Sequence, residues 1–403
     1  MKVSTICSSI MLIGLFIYAL SATMTISGIA IGVNLALLAW IVKMLLAKRL
    51  ETRGVVLNLP IFVLLGVLMI AAIASPSIPF IQGFDRIRSI AGGILLYYLV
   101  VNGIRNEQDI KWLLACLIIG LSLLSIYETA LVICNPTPER QAAMMADKGL
   151  GGCLGMIIPL VVSLAFFGTF SFKIRIGLIV SLVIMIICLN INSSRGAWLG
   201  NICAMVFLGM IINKKILLGL GIAIIISLLF LPEKQMYRVK NMFNLQYGAN
   251  AERVYLWQGA LAMIKERPLL GHGLGSFQAL YPKYAPVISD ETKKGFYPPH
   301  GHRHAHNIFI HLAAEAGIFA FLTIIWLLGV SFRWTWQVFK HTETNWLKIS
   351  VLGIMACLID FSIHGMVDYT LAGMTGYLFW FYLGIVSWIG IKYKSEEKRQ
   401  GCI

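Results

Sequence analysis

The sequence predicts an all-α, polytopic integral membrane protein of about 12 transmembrane helices, with one large loop on a single side. Three observations carry this. Hydrophobic residues make up 58% of the 403 and the mean hydropathy is +0.81, far above a soluble globular domain. Apolar stretches of roughly 18–25 residues recur, each long enough to cross about 30 Å of hydrocarbon. One polar interruption, residues 232–306, breaks the pattern. Backbone in lipid must satisfy its own hydrogen bonds, and ten-residue alternating strands are absent, so the apolar stretches are helices.

In chain order the segments are about 6–22, 25–46, 56–75, 88–104, 112–133, 150–170, 175–191, 196–212, 216–231, 308–330, 349–370 and 373–391. The first follows Lys2 and has small residues near Ala22, as a signal peptide does, but the next apolar segment comes at once, which favours an uncleaved span. Lys48, Arg49 and Arg53 separate the second from the third, and Arg86 with Arg88 precede the fourth. Lys173 and Arg175 open the seventh, and only a short turn around Arg195 joins it to the eighth. Lys214 and Lys215 precede the ninth, then comes the long insertion. The chain ends within about a dozen residues of the last segment, so no C-terminal soluble domain is expected. The absence of linkers and repeats predicts one transmembrane domain over 1–403, with 232–306 inserted between spans 9 and 10.

The net charge of +15 invites a nucleic-acid reading, but its distribution excludes one. With both termini cytoplasmic, short inner loops and tails hold 18 of the 33 Lys/Arg, short outer loops five, and the insertion ten. That is the positive-inside bias, and it puts the insertion outside the cytoplasm. The eight cysteines fall mostly inside apolar spans and form neither a disulfide framework nor a CxxC site.

Within the insertion, apolar residues at 254, 257, 261 and 264 predict an amphipathic helix over 251–264, lying on the bilayer or on the bundle. Pro268 breaks it, and Pro282, Pro286, Pro298 and Pro299 predict irregular chain beyond. The glycines 271, 273 and 275 have no preceding strand and no following Lys-Ser/Thr, so close packing explains them better than a nucleotide loop.

The insertion ends in alternating histidines, His300, His302, His304 and His306, with Asn307 as the natural N-cap of the next helix. The positive end of that helix disfavours imidazolium and would keep His306 able to accept a proton. His311 and Glu315, four apart, share a face beneath it. A metal reading of the histidines finds no Cys or carboxylate cluster to complete a shell. Arg195, at its tight turn beside Ser193 and Ser194, is a fork suited to a phosphate or an anchor paired with Trp198. Arg253, with Trp257 one turn on, is a second such fork; Arg86 and Arg88 read as anchors or phosphate neighbours. Asp360, His364 and Asp368 recur every four residues as one ionisable stripe that must face the bundle interior or a watery cavity.

Ser194-Arg195-Gly-Ala-Trp198, Arg253-x3-Trp257, Pro268-Leu-Leu-Gly-x-Gly-x-Gly-x-Phe277 and His306-Asn307-x9-Gly317 together resemble the O-antigen ligase and polymerase superfamily of bacterial inner membranes. His364-Gly-Met-Val-Asp368 adds to the likeness, which covers nearly the whole chain. The resemblance implies a GT-C-like, inverting glycosyltransferase that needs no metal or other cofactor. Its donor would be a polysaccharide on undecaprenyl diphosphate, its acceptor the lipid A–core oligosaccharide. By the same likeness Arg195 and Arg253 would grip the diphosphate and His306 would be the base. Supporting places would fall to Asn307, His311, Glu315, His364, Asp368, Arg86 and Arg88. The nearest alternative is an O-antigen polymerase with the same donor; more distant is a proton-coupled transporter using Asp360, His364 and Asp368.

Overall fold

Fifteen helices, and no strand among the described residues, make up the computed structural model. It describes residues 2–48, 56–135, 148–230, 233–241, 248–285 and 304–400, with a few isolated positions between them. The first nine are α1 (Lys2–Ser21), α2 (Ile26–Ala47), α3 (Asn58–Ile73), α4 (Phe80–Gly103), α5 (Glu107–Cys134), α6 (Lys148–Phe167), α7 (Phe172–Asn192), α8 (Arg195–Ile211) and α9 (Lys215–Phe230). The insertion contributes α10 (Glu233–Lys240), α11 (Gly248–Glu266) and α12 (Phe277–Tyr284). The chain then returns through α13 (Ile308–His341), α14 (Asn345–Gly365) and α15 (Gly373–Gln400).

Each of the twelve apolar segments has most of its length in a helix, but among the described residues eight helices are long and apolar enough to cross a membrane: α1, α2, α5, α6, α7, α13, α14 and α15. The other four fall short for physical reasons. Helices α3, α8 and α9 have only 16, 17 and 16 residues, about 24–26 Å of rise. Helix α4 carries Asp85, Arg86 and Arg88 in its first half.

Small residues set the close crossings, as expected where lipid-like surroundings give no hydrophobic drive between helices. Helix α1 packs against α2 at Gly14, where a Cβ would stand 2.6 Å from the Gly32 carbonyl. Leu15 and Tyr18 of α1 are fully buried, so this segment is part of the core. At the centre, α14 lies against α6 and α8, and its side chains fit where glycines leave room. Asp360 sits between Gly155 and Gly200, and His364 between Gly152 and Gly196.

Two expectations are corrected in α13 and α14. The tenth segment is not one straight helix: Gly317 (φ 78°, ψ −176°) breaks α13 nine residues after its start. There Ile318 N–H turns to the Pro268 carbonyl at 2.8 Å, and a Cβ on Gly317 would collide with the Leu269 carbonyl. The stripe Asp360–His364–Asp368 is also broken, because α14 ends at Gly365. Asp368 stands in the terminating turn, its N–H bonded to the His364 carbonyl at 2.9 Å.

The insertion forms its own small core of Leu256, Ala260 and Met263 from α11 with Phe277 and Tyr281 from α12. The amphipathic helix starts at Gly248, earlier than expected, and of the two expected seats, bilayer or bundle, it packs against α13 of the bundle. Its buried stripe is rotated from the expected one: Leu261 is 48% exposed, while Leu256 is fully buried. Residues 277–284 are helical despite Pro282, contrary to the irregular chain expected there. The stacked rings of Phe277 and Tyr281, 5.3 Å apart, explain it: buried packing outweighs one lost backbone bond. Pro286, Pro298, Pro299, His300 and His302 lie outside the described residues.

Candidate active site

His306 is built into the site by its backbone. Asn307 caps α13 as expected, its side chain accepting from Phe309 N–H at 2.9 Å and Ile310 N–H at 3.0 Å. The same side chain donates to the Met366 carbonyl at 2.8 Å, which ties the start of α13 to the turn after α14. His306, just before the cap, takes a left-handed conformation (φ 47°), uncommon outside glycine and concentrated at functional sites. The preceding Ala305 is fully buried, and its carbonyl accepts from Trp257 Nε1 at 3.0 Å.

These constraints aim the His306 ring at the turn after α14, where Nδ1 lies 2.9 Å from Asp368 Oδ1. Both side chains are nearly enclosed, at 12% and 9% exposure. The nearest charge is therefore a carboxylate, not the helix end from which the sequence argument began. Asp368 is itself held, Oδ1 also accepting from Tyr369 N–H at 2.8 Å. A carboxylate on one ring nitrogen fixes the tautomer and turns the other nitrogen outward as an acceptor.

Arg253 of α11 reaches the same turn, its Nε donating to the Val367 carbonyl at 3.0 Å. Arg195 opens α8, and its Nη1 donates to Asn250 Oδ1 at 2.6 Å, on the helix that carries Arg253. Arg195, Arg253, Asp368 and His306 are thus linked by successive contacts through α11 and the 366–369 turn. Ser193 was a candidate phosphate donor but is not placed as one. It caps α7 (φ 59°), and its hydroxyl donates to the Asn190 carbonyl at 3.0 Å, filling a vacancy that helix ends leave.

His311 and Glu315 pair at 3.3 Å as their spacing predicts. Glu315 is 3% exposed and accepts from Gly275 N–H (2.8 Å) and Phe277 N–H (2.9 Å). It therefore clamps the glycine loop, whose Gly271, Gly273 and Gly275 all have positive φ. This pair holds the insertion onto α13, and His311 also packs edge-on against Tyr369 at 4.8 Å between ring centres.

A cavity of about 830 Å³ opens beside Asp368, lined also by His364, Tyr369, His304 and Arg88 among others. Burial raises the Tyr369 phenol above its ordinary range, helped by Glu315, so it is no competing base. Arg88 also pairs with Asp85 at 3.4 Å on an exposed surface, and Arg86 is exposed near Gly275. A second cavity of about 680 Å³, apolar, lies between α6, α7, α8 and α9 and is bordered by Trp198 and Asn201, one and two turns below Arg195. One donor atom each from His304, His306 and Asp368 lies within 4.8 Å of the others, so the carboxylate that seemed lacking is supplied by a distant turn.

Residues 180–325 match the family model described as O-Antigen ligase. The match covers just over a third of the chain, and it makes this segment similar to that family. The matched segment holds Arg195, Arg253, His306, Asn307, His311 and Glu315; His364, Asp368, Arg86 and Arg88 lie outside it. An uncharacterised protein of Haemophilus influenzae is 25% identical over 247 residues, which cover 55% of this chain and 58% of that relative. The chain therefore spans less than two thirds of that protein. Members of the matched family are glycosyltransferase-like enzymes.

Proposed function

We propose that this chain is an O-antigen ligase, transferring polysaccharide from undecaprenyl diphosphate to the lipid A–core oligosaccharide in the bacterial inner membrane. In this reading twelve helices span the membrane, both termini are cytoplasmic and the insertion lies in the periplasm. The observation that supports it most is the buried His306–Asp368 pair at 2.9 Å beside an arginine bound to the adjacent residue.

The chemistry follows from that geometry. A core-sugar hydroxyl gives its proton to His306 Nε2 as its oxygen attacks the anomeric carbon opposite the leaving group. The bond from that carbon to the diphosphate oxygen breaks, and the configuration inverts. Asp368 stabilises the imidazolium that forms, as a carboxylate behind a catalytic histidine does. Arg253 and Arg195 stabilise charge growing on the departing diphosphate, which needs no further activation and no metal. The apolar cavity beneath Arg195 suits the donor's isoprenoid chain, and the more polar of the two cavities, by Arg88, suits the acceptor.

His306→Ala should leave the protein in the membrane and abolish transfer. A deletion strain should show bare core with accumulated lipid-linked polymer. Core capped by a single repeat would make the chain a polymerase, which uses the same donor. Normal lipopolysaccharide in the His306→Ala strain would sink the assignment.

A further inference from the structure

We propose that His304, His306 and Asp368 form a site for one divalent transition-metal ion, and that filling it switches the enzyme off. The site half stands on geometry alone; the inhibitory half rests on the role proposed for His306.

Two imidazoles and a carboxylate form a donor set that zinc, cobalt, nickel and copper accept, whereas magnesium and calcium prefer oxygen alone. One donor atom from each residue lies within 4.8 Å of the others. Around a tetrahedral ion with bonds of about 2.0–2.1 Å such atoms stand roughly 3.3 Å apart, so side-chain rotation closes the site.

The backbone brings the two rings together. His304 and His306 flank Ala305, which is buried and pinned by Trp257, and their ring centres are 4.4 Å apart. Tyr369 stacks on His304 at 5.4 Å and 21°, and is itself adjacent to Asp368. Access is also present, because His304 and Asp368 both line the 830 Å³ cavity.

The ion and the reaction compete for one side chain. At Nε2 of His306 the ion occupies the lone pair that would take the acceptor's proton. At Nδ1 it displaces the proton shared with Asp368, and the neutral ring then carries its proton on Nε2, which can no longer accept one. Either way no base remains.

The full-length protein, purified in detergent and stripped with chelator, is titrated with Co²⁺ and read by its visible d–d absorption. One saturable equivalent, displaced by Zn²⁺, is expected. Both His304→Ala and His304→Gln should weaken it by at least about tenfold, as loss of even an outer partner can. In parallel, Zn²⁺ should stop transfer from the lipid-linked donor at the concentration that displaces Co²⁺, and chelator should restore it. Unsaturable absorption, or equal affinity in the His304 variants, overturns the site. Saturable binding with zinc-insensitive transfer overturns the inhibition. Saturable binding in a protein inactive with and without metal would fail the transferase reading while leaving the site intact.

Discussion

At the scale of single residues, the roles of His306, Asp368 and Arg253 are separable because each leaves a different signature. Replacing Asp368 with Asn keeps the shape and can retain one hydrogen bond, but removes the charge facing the imidazolium. Transfer should fall by about 10⁴-fold, the loss seen when a histidine's buried carboxylate is made neutral, with donor binding kept. If Asp368→Asn retains half its activity, Asp368 only packs. Arg253 fails differently. Its Nε is engaged by the Val367 carbonyl, which sets the plane of the guanidinium beside the site. Lysine has one charged nitrogen and no second edge, so it cannot hold that carbonyl and present a fork at once. Arg253→Lys should therefore lose about 10²-fold in kcat while the protein stays folded. Full activity in Arg253→Lys would leave only a diffuse charge effect.

At the scale of elements, the break in α13 and the clamp on the glycine loop decide whether His306 is presented at all. Gly317→Ala forces a side chain into a φ of 78° and against the Leu269 carbonyl. Strain of about 1–3 kcal/mol plus the collision should lower the melting temperature in detergent and release the insertion to protease. An unchanged melt would mean that the break is not needed. His272, in the same loop, adds a pH effect. Burial lowers its basicity, against a smaller upward pull from the Met263 carbonyl that its Nε2 donates to at 3.1 Å. The unfolded loop then takes up a proton at a higher pH than the folded one. Stability is full above about pH 6.5 and is lost as pH falls from there towards the folded value. His272→Gln should flatten that slope in a protease-protection assay, and an unaltered slope would assign it to other groups. The same elements show what a sequence can carry. Asn307 as a cap and His311–Glu315 as a pair follow from helix spacing, a local rule. The partnership of His306 with Asp368 joins residues 62 apart across two helix ends, and no local periodicity encodes it. Reading Asp360, His364 and Asp368 as one stripe extrapolated helical spacing past Gly365, where the helix stops. The visible hint was Gly365 itself, a common helix terminator.

At the scale of the molecule, the proposed transfer between two lipid-anchored substrates would need two lateral entries and one meeting point, and the two cavities would suit that arrangement. The apolar one is walled on one side by α9, a helix with no buried residue, which would let lipid enter sideways. On α8 it reaches Trp198, one turn from Arg195. The polar one runs between α2 and α4, past Arg88, to Asp368. Helices α6, α8 and α14 pack too closely for a shared channel, with glycines at their contacts. Donor and acceptor would therefore approach from opposite sides of α14 and meet only above its end. Blocking one entry should spare the other. Ala223→Trp, in the apolar cavity, should abolish retention of a radiolabelled undecaprenyl diphosphate sugar by purified protein. Ala30→Trp, in the polar cavity, should retain that donor yet give no product with lipid A–core acceptor. Both variants line cavities rather than the core packing, so their melts should match the unmodified protein. If both tryptophans abolish donor retention, the substrates share one route and the separation across α14 is wrong. If Ala30→Trp transfers normally, the acceptor does not pass Arg88, and the polar cavity serves the reaction in some other way.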